Sequence, residues 1–247
     1  MTNVSAASPA AQGDFRVGQV FSQTTAVFSR NFLTFFVVTL VAGLPRVLLI
    51  GDVQQGVGTD AVVKIVVAAF LSIVLGTLAQ AVLLYGAFQD MRGRPVDLVD
   101  CLRIGLGRFF PIIGLAICMS IGLMVGFLLL FVPGLILAVM WFVATPACVV
   151  EQLDPFASMS RSSALTKGHR WKIFGMFVLV MIGAGIVSAL IGAMLGLTGS
   201  TVLVTLGTLV WTGVWGAFYA IFAAVTYHDL RVAKEGIDIH QIASVFD

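Results

Sequence analysis

Six long apolar runs dominate the chain and leave little choice of fold. They cover Phe32 to Ile50, Ala61 to Phe88, Phe109 to Phe131, Leu135 to Val150, Ile173 to Leu195 and Thr201 to Thr226. All but the shorter fourth approach the roughly 20 residues that an α-helix needs to cross a bilayer core. None shows the alternating apolar and polar pattern of a membrane β-barrel strand. Backbone polar groups in hydrocarbon must bond within their own segment, so such runs form helices. Composition agrees: 59% of the 247 residues are hydrophobic, 11% are charged, and the mean hydropathy is +1.05. A chain of this size in water could not bury so much apolar surface. The sequence therefore predicts an all-α, polytopic integral membrane protein with six transmembrane helices.

The placement of charge predicts its orientation. All but two of the 14 Lys and Arg fall on one set of connections. Arg16 and Arg30 precede the first run, Arg92, Arg94, Arg103 and Arg108 join the second to the third, and Arg161, Lys167, Arg170 and Lys172 join the fourth to the fifth. Arg231 and Lys234 follow the last run. The opposite loops, Gly51 to Asp60, Val132 to Gly134 and Gly196 to Ser200, carry none, while Arg46 and Lys64 lie within snorkelling reach of that face. Basic loops stay cytoplasmic, which places both termini in the cytosol. Val132-Pro133-Gly134 is read as a tight outer turn, and Thr145-Pro146 as a kink in the fourth span. Residues 1–14, small and polar with no basic start for a secretory signal, read as a disordered tail ahead of a single membrane domain, 15–247.

The cytoplasmic segments have helical periodicity of their own. Val17, Val20, Phe21, Thr24 and Phe28 share one face, and Leu98, Leu102, Leu106 and Phe109 another. Asp154 as N-cap, Pro155 at the first position and Gly168 as a stop enclose a third short helix bearing Phe156, Met159 and Ala164. Ile239, Ile242 and Phe246 mark a fourth, 238–247. Such helices lie on a membrane surface with the apolar side down. Stacked together, the segments suggest three repeated units, 15–88, 97–150 and 155–226. Each consists of a surface helix, a basic-aromatic anchor and a helical hairpin. The anchors are Ser29-Arg30-Asn31-Phe32, Gly107-Arg108-Phe109-Phe110 and Gly168-His169-Arg170-Trp171. The exits Gln89-Asp90-Met91-Arg92 and His228-Asp229-Leu230-Arg231 are also alike. Recurrence of arginine-aromatic pairs at any cytoplasmic boundary remains the competing explanation.

Few motifs carry chemistry. Gly122-x-x-x-Gly126 and Gly192-x-x-x-Gly196 each put two small residues on one helix face, for packing within the chain or for self-association. Trp211 and Trp215, one turn apart, either border a groove or pack. Arg161, Lys167, Arg170 and Lys172 among serines and Thr166 offer cations and hydroxyls to an anionic lipid headgroup. His169, His228 and His240 lack metal-ligand spacing, and no nucleophile elbow or phosphate loop occurs, so no catalytic residue, metal or cofactor is expected. Cys101, Cys118 and Cys148 read as packing residues. No charged side chain falls near a span's midplane, where ion-coupled carriers keep theirs. Gln80 is the deepest strong hydrogen-bonding group, lining a cavity or bonding a neighbouring helix. A net charge of +2 gives nucleic acid no purchase.

One stretch carries a resemblance. Phe131-Val132-Pro133-Gly134-Leu135-Ile136-Leu137-Ala138, then Thr145-Pro146, then Pro155 to Thr166 (PFASMSRSSALT) is similar to the YciC-type bacterial inner-membrane proteins. It also resembles the related membrane domain of some glycerophosphodiester phosphodiesterases. Phe28-Ser29-Arg30-Asn31-Phe32-Leu33-Thr34 resembles the group's first anchor. The resemblance implies a bacterial plasma (inner) membrane and a helical fold, and it implies no activity. The expectation is a non-enzymatic protein that organises or assists membrane and envelope complexes, its partners being lipids and a protein or a second copy of itself. The alternative is a carrier or flippase-like transporter of a lipid or apolar solute.

Overall fold

The computed structural model describes residues 15–50 and 59–236. The predicted tail at 1–14, the surface helix at 238–247 and most of the first outer loop lie outside the described residues. Those described form helices and no strand, so the chain is all-α. In order they are α1 (Val17–Arg30), α2 (Phe32–Ile50), α3 (Thr59–Met91), α4 (Leu98–Gly107) and α5 (Phe109–Leu129). Then come α6 (Phe131–Met140), α7 (Ala144–Val150), α8 (Pro155–Thr166), α9 (Arg170–Gly196) and α10 (Thr201–Glu235). Six stretches are long and apolar enough to cross a membrane: α2, α3, α5, α6 with α7, α9 and α10. The protein is a multi-pass membrane protein.

The packing is cyclic. The helices fall into three triplets, each a short helix followed by two spans: α1–α3, α4 to α7, and α8–α10. α4 packs on α3, α8 on α7 and α1 on α10, so each short helix sits on the second span of the triplet before it. The second span of each triplet also touches the first span of the next: α3 meets α5, α6 meets α9, and α10 meets α2. At the middle stands α10, in contact with α1, α2, α3, α7, α8 and α9. Ala217, Ala220, Ala223 and Ala224 are buried there and keep its girth small enough for close neighbours.

Burial is concentrated toward one end of the spans. Leu83, Leu84, Phe88, Ile112, Leu115, Ile173, Met176 and Phe222 are buried near the short helices. Toward the other end Leu128, Leu129, Leu190, Met194 and Val202 stand exposed, as suits side chains facing lipid. The short helices differ in how they use their faces. α1 spends its apolar face on protein, with Phe21 stacked on Phe222 at 5.7 Å and Phe28 edge-on to Phe218 at 5.8 Å. α4 docks through Cys101 and Gly105 and leaves Leu98, Leu102 and Leu106 exposed.

Two readings of the fourth span need correction. The outer turn is not Val132-Pro133-Gly134 but the single extended residue Leu130, between α5 and α6. Pro133 fits in the first turn of α6, where backbone N–H groups have no intrahelical partner to lose. Gly134 serves the crossing instead, since a Cβ there would lie 2.8 Å from the backbone nitrogen of Phe127. The bend, in turn, falls at Trp141–Val143, ahead of Pro146 and around Phe142, the residue whose carbonyl the proline cannot bond. The Ala144 N–H turns to Trp141 and frees the carbonyl of Met140. Ser162 of α8 donates to that carbonyl at 2.8 Å. The hydroxyl side of α8 (Ser158, Ser162, Thr166) is thus the buried side, and Phe156 points away.

Candidate functional site

Charge gathers where α7, α8 and α10 meet. α10 carries Tyr227, Arg231 and Glu235 at four-residue intervals, one above another on one face. Glu151 closes α7, and Arg161 projects from the middle of α8. Arg161 Nε donates to both oxygens of Glu151 at 2.8 Å, and its Nη2 donates to Glu235. The Tyr227 hydroxyl donates to Glu151, and Arg231 Nε donates to Glu235 Oε2 at 2.9 Å. Burial opposes the Arg161 charge, yet its hydrogen bonds to Glu151 and Glu235 leave its pKa above the ordinary arginine value. The five side chains spend their polar groups on one another and form a clasp.

Each anchor arginine opens a hairpin, and two of the three tie its two ends together. Arg30 Nη2 donates to Asp90 at 2.6 Å and Asn31 Nδ2 to the other Asp90 oxygen at 2.8 Å, joining the start of α2 to the end of α3. Arg108, at the start of α5, donates to the Gln152 carbonyl at 2.9 Å and to its side chain at 2.6 Å. Gln152 has a φ of +57°, a left-handed conformation that side chains disfavour, and this double contact holds the turn in place. In the third triplet Arg170 Nε is buried with no hydrogen-bond partner among the described residues, while Asp229 is engaged by His228 at 3.2 Å.

Of the four cations offered for lipid contact, Arg161 sits in the clasp with its side chain 27% exposed. Lys167 is exposed, Arg170 is half-buried, and Lys172 donates to the Phe15 carbonyl at 3.1 Å. The glycine pairs also separate. A Cβ on Gly122 would lie 2.6 Å from the Trp141 ring, and one on Gly126 2.9 Å from Leu137, so α6 packs directly on this face. Gly192 and Gly196 face open space. The cysteines are free thiols, and burial, with Asp97 and Asp100 nearby, pushes Cys101 up to about 11. The clasp is not among the sequence expectations, which count Arg161 and Arg231 only as flanking cations; the four-residue spacing of Tyr227, Arg231 and Glu235 on α10 is the signal that was available.

Among the described residues, recesses open along the spans, and three of them bear on function. One of about 310 Å³ lies between α9 and α10 and is bordered by Phe21, Phe28, Val180, Trp211, Trp215 and Phe218. Trp211 and Trp215 stack there at 6.4 Å, with Trp211 Nε1 donating to Ser188 at 2.6 Å. A second apolar recess, about 300 Å³, runs beside α2 and α3 under Leu98 and Leu102 of α4. The third, about 230 Å³ between α2, α3 and α10, contains Gln80. Among the described residues no group of three or more His, Cys, Asp or Glu is placed to hold a metal ion.

No curated protein and no solved structure matches the chain. Residues 102–230, from α4 into the end of α10 and more than half the chain, match the family described as Domain of unknown function (DUF7847), and the chain belongs to that family.

Proposed function

We propose that this is a non-enzymatic protein of the bacterial inner membrane that organises lipids and assists the complexes assembled among them. The direction in which the molecule is open carries this reading. At the basic end, the clasp and the Arg30 and Arg108 ties close the bundle around α10. The two larger recesses are apolar and open sideways between spans, where acyl chains or a partner's helix would lie. The bias of Lys and Arg toward the connections at that end supports a cytosolic closed end with both termini on the same side. The likeness to YciC-type proteins of the VPG stretch and the Pro155–Thr166 helix supports a bacterial inner membrane. Purification in mild detergent tests the reading. Co-purifying phospholipid or a stoichiometric protein partner is the expected result, and a clean monomer stripped of both would count against it.

A second reading, a carrier for a lipid or another uncharged solute, is favoured by the recess around Gln80. Triplets of repeated helices are also a common basis for carriers. Flux measurements in proteoliposomes separate the two, since an organiser moves nothing across the bilayer.

A further inference from the structure

The recess between α2, α3 and α10 differs from the other two in being lined by polar side chains, Thr39, Ser72, Gln80 and Thr212. Its depth follows from helical rise. Gln80 lies about 15 Å along α3 from Asp90, and Thr39 about 14 Å along α2 from Arg30. Ser72 and Thr212 lie about 26 Å from the same end. In a hydrocarbon layer about 30 Å thick, the polar wall runs from the middle toward the outer face. Thr39 has spent its proton on the carbonyls of Phe35 and Phe36, and Thr212 on that of Thr208, so both retain only accepting capacity. Gln80 makes no side-chain hydrogen bond to any described residue, and Ser72 Oγ is buried without a partner. A carboxamide with two donors and an acceptor unmet is costly in a membrane interior. Space is present as well: the recess measures about 230 Å³ and a Cβ on Gly76 would meet nothing within 4 Å, while Gly43 on the other side makes room for Leu209, whose Cδ1 would lie 2.8 Å from a Cβ there. No Asp, Glu, Lys, Arg or His lines it, so a charged guest would enter uncompensated.

We propose that this recess holds an uncharged, hydroxyl-bearing guest that exchanges hydrogen bonds with the Gln80 carboxamide. Water supplies that chemistry, and so does the free hydroxyl of a diacylglycerol. The inference stands apart from the organising role and survives its failure.

The test uses the protein in lipid nanodiscs with Cys101, Cys118 and Cys148 replaced by alanine. Thr212→Cys, nearly isosteric, places a thiol in the recess. Val210→Cys places one at almost the same depth on an exposed side of α10 outside it. The thiolate attacks the sulfenyl sulfur of a membrane-impermeant methanethiosulfonate, forming a mixed disulfide and releasing methanesulfinate, and thiolate forms in contact with water and not in hydrocarbon, so Thr212→Cys should react at least about tenfold faster than Val210→Cys. Adding Gln80→Leu should bring the rate down to that of Val210→Cys. Dioleoylglycerol in the disc then separates the sources: protection of Thr212→Cys assigns the guest to the lipid hydroxyl, and an unchanged fast rate assigns it to water. Equal rates for Thr212→Cys and Val210→Cys, or indifference to Gln80→Leu, would overturn the proposal.

Discussion

Replacing Arg161 with methionine removes the centre of the clasp while keeping most of the side chain's bulk. Three charge-assisted hydrogen bonds disappear, two to Glu151 and one to Glu235. Neither carboxylate is left wholly alone, because Glu151 keeps the Tyr227 hydroxyl and Glu235 keeps Arg231. Removing one partner of a buried pair costs roughly 3–5 kcal/mol. The side chains here are 16–27% exposed and retain second partners, which argues for the lower end, about 3 kcal/mol. For a chain of this size that corresponds to a fall of about 6–12 °C in the unfolding midpoint. Thermal unfolding in nanodiscs, followed by tryptophan fluorescence, reads it directly. Lys167→Met, at an exposed cation on the same connection, should move the midpoint by no more than about 2 °C, as surface charges do. Arg161→Lys, which keeps the charge but not the two-pronged geometry, should fall between them. Equal midpoints for Arg161→Met and Lys167→Met would refute the clasp.

Ser162→Ala combined with Thr166→Val leaves the Met140 carbonyl unbonded at the bend of the fourth span and should cost about 1–2 kcal/mol in the same assay. Gly134→Ala forces a Cβ against the Phe127 backbone and should cost about 2 kcal/mol. Gly192→Ala points into open space and should be neutral or stabilising by up to about 1 kcal/mol. The Cys101 thiol, held near 11, should alkylate slowly in the folded protein at pH 8 and faster by about tenfold per pH unit up to that value. In denaturing detergent the suppression at Cys101 should vanish, as mass spectrometry of the labelled peptide would show.

The spans were legible because hydropathy alone fixes what must meet lipid, and the cap at Asp154-Pro155 because its chemistry is local. The Asp154 side chain does accept from Ala157 N–H at 2.9 Å. What sequence could not supply was pairing across distance. Arg161 reads from sequence as one more flanking cation, and only the fold brings Glu235, 74 residues away, against it. Proline and glycine misled for a related reason. Both mark turns by convention, yet Pro133 sits where a helix tolerates it and Gly134 serves a close crossing. The apolar face of α1 was equally ambiguous. Lipid and a neighbouring span demand the same residues, and only the stacking of Phe21 on Phe222 decides between them.

The proposed function rests on six membrane-spanning helices with the clasp and the basic connections on the cytosolic side. Single cysteines in the cysteine-free background, at Lys167→Cys before α9 and Thr198→Cys in the turn before α10, place both ends of one hairpin in a single experiment. With a membrane-impermeant maleimide, intact bacterial cells should label Thr198→Cys at once and Lys167→Cys only after the inner membrane is opened. Labelling of Lys167→Cys in intact cells would contradict the orientation, and recovery of the chain in the detergent-free soluble fraction would contradict the membrane fold itself.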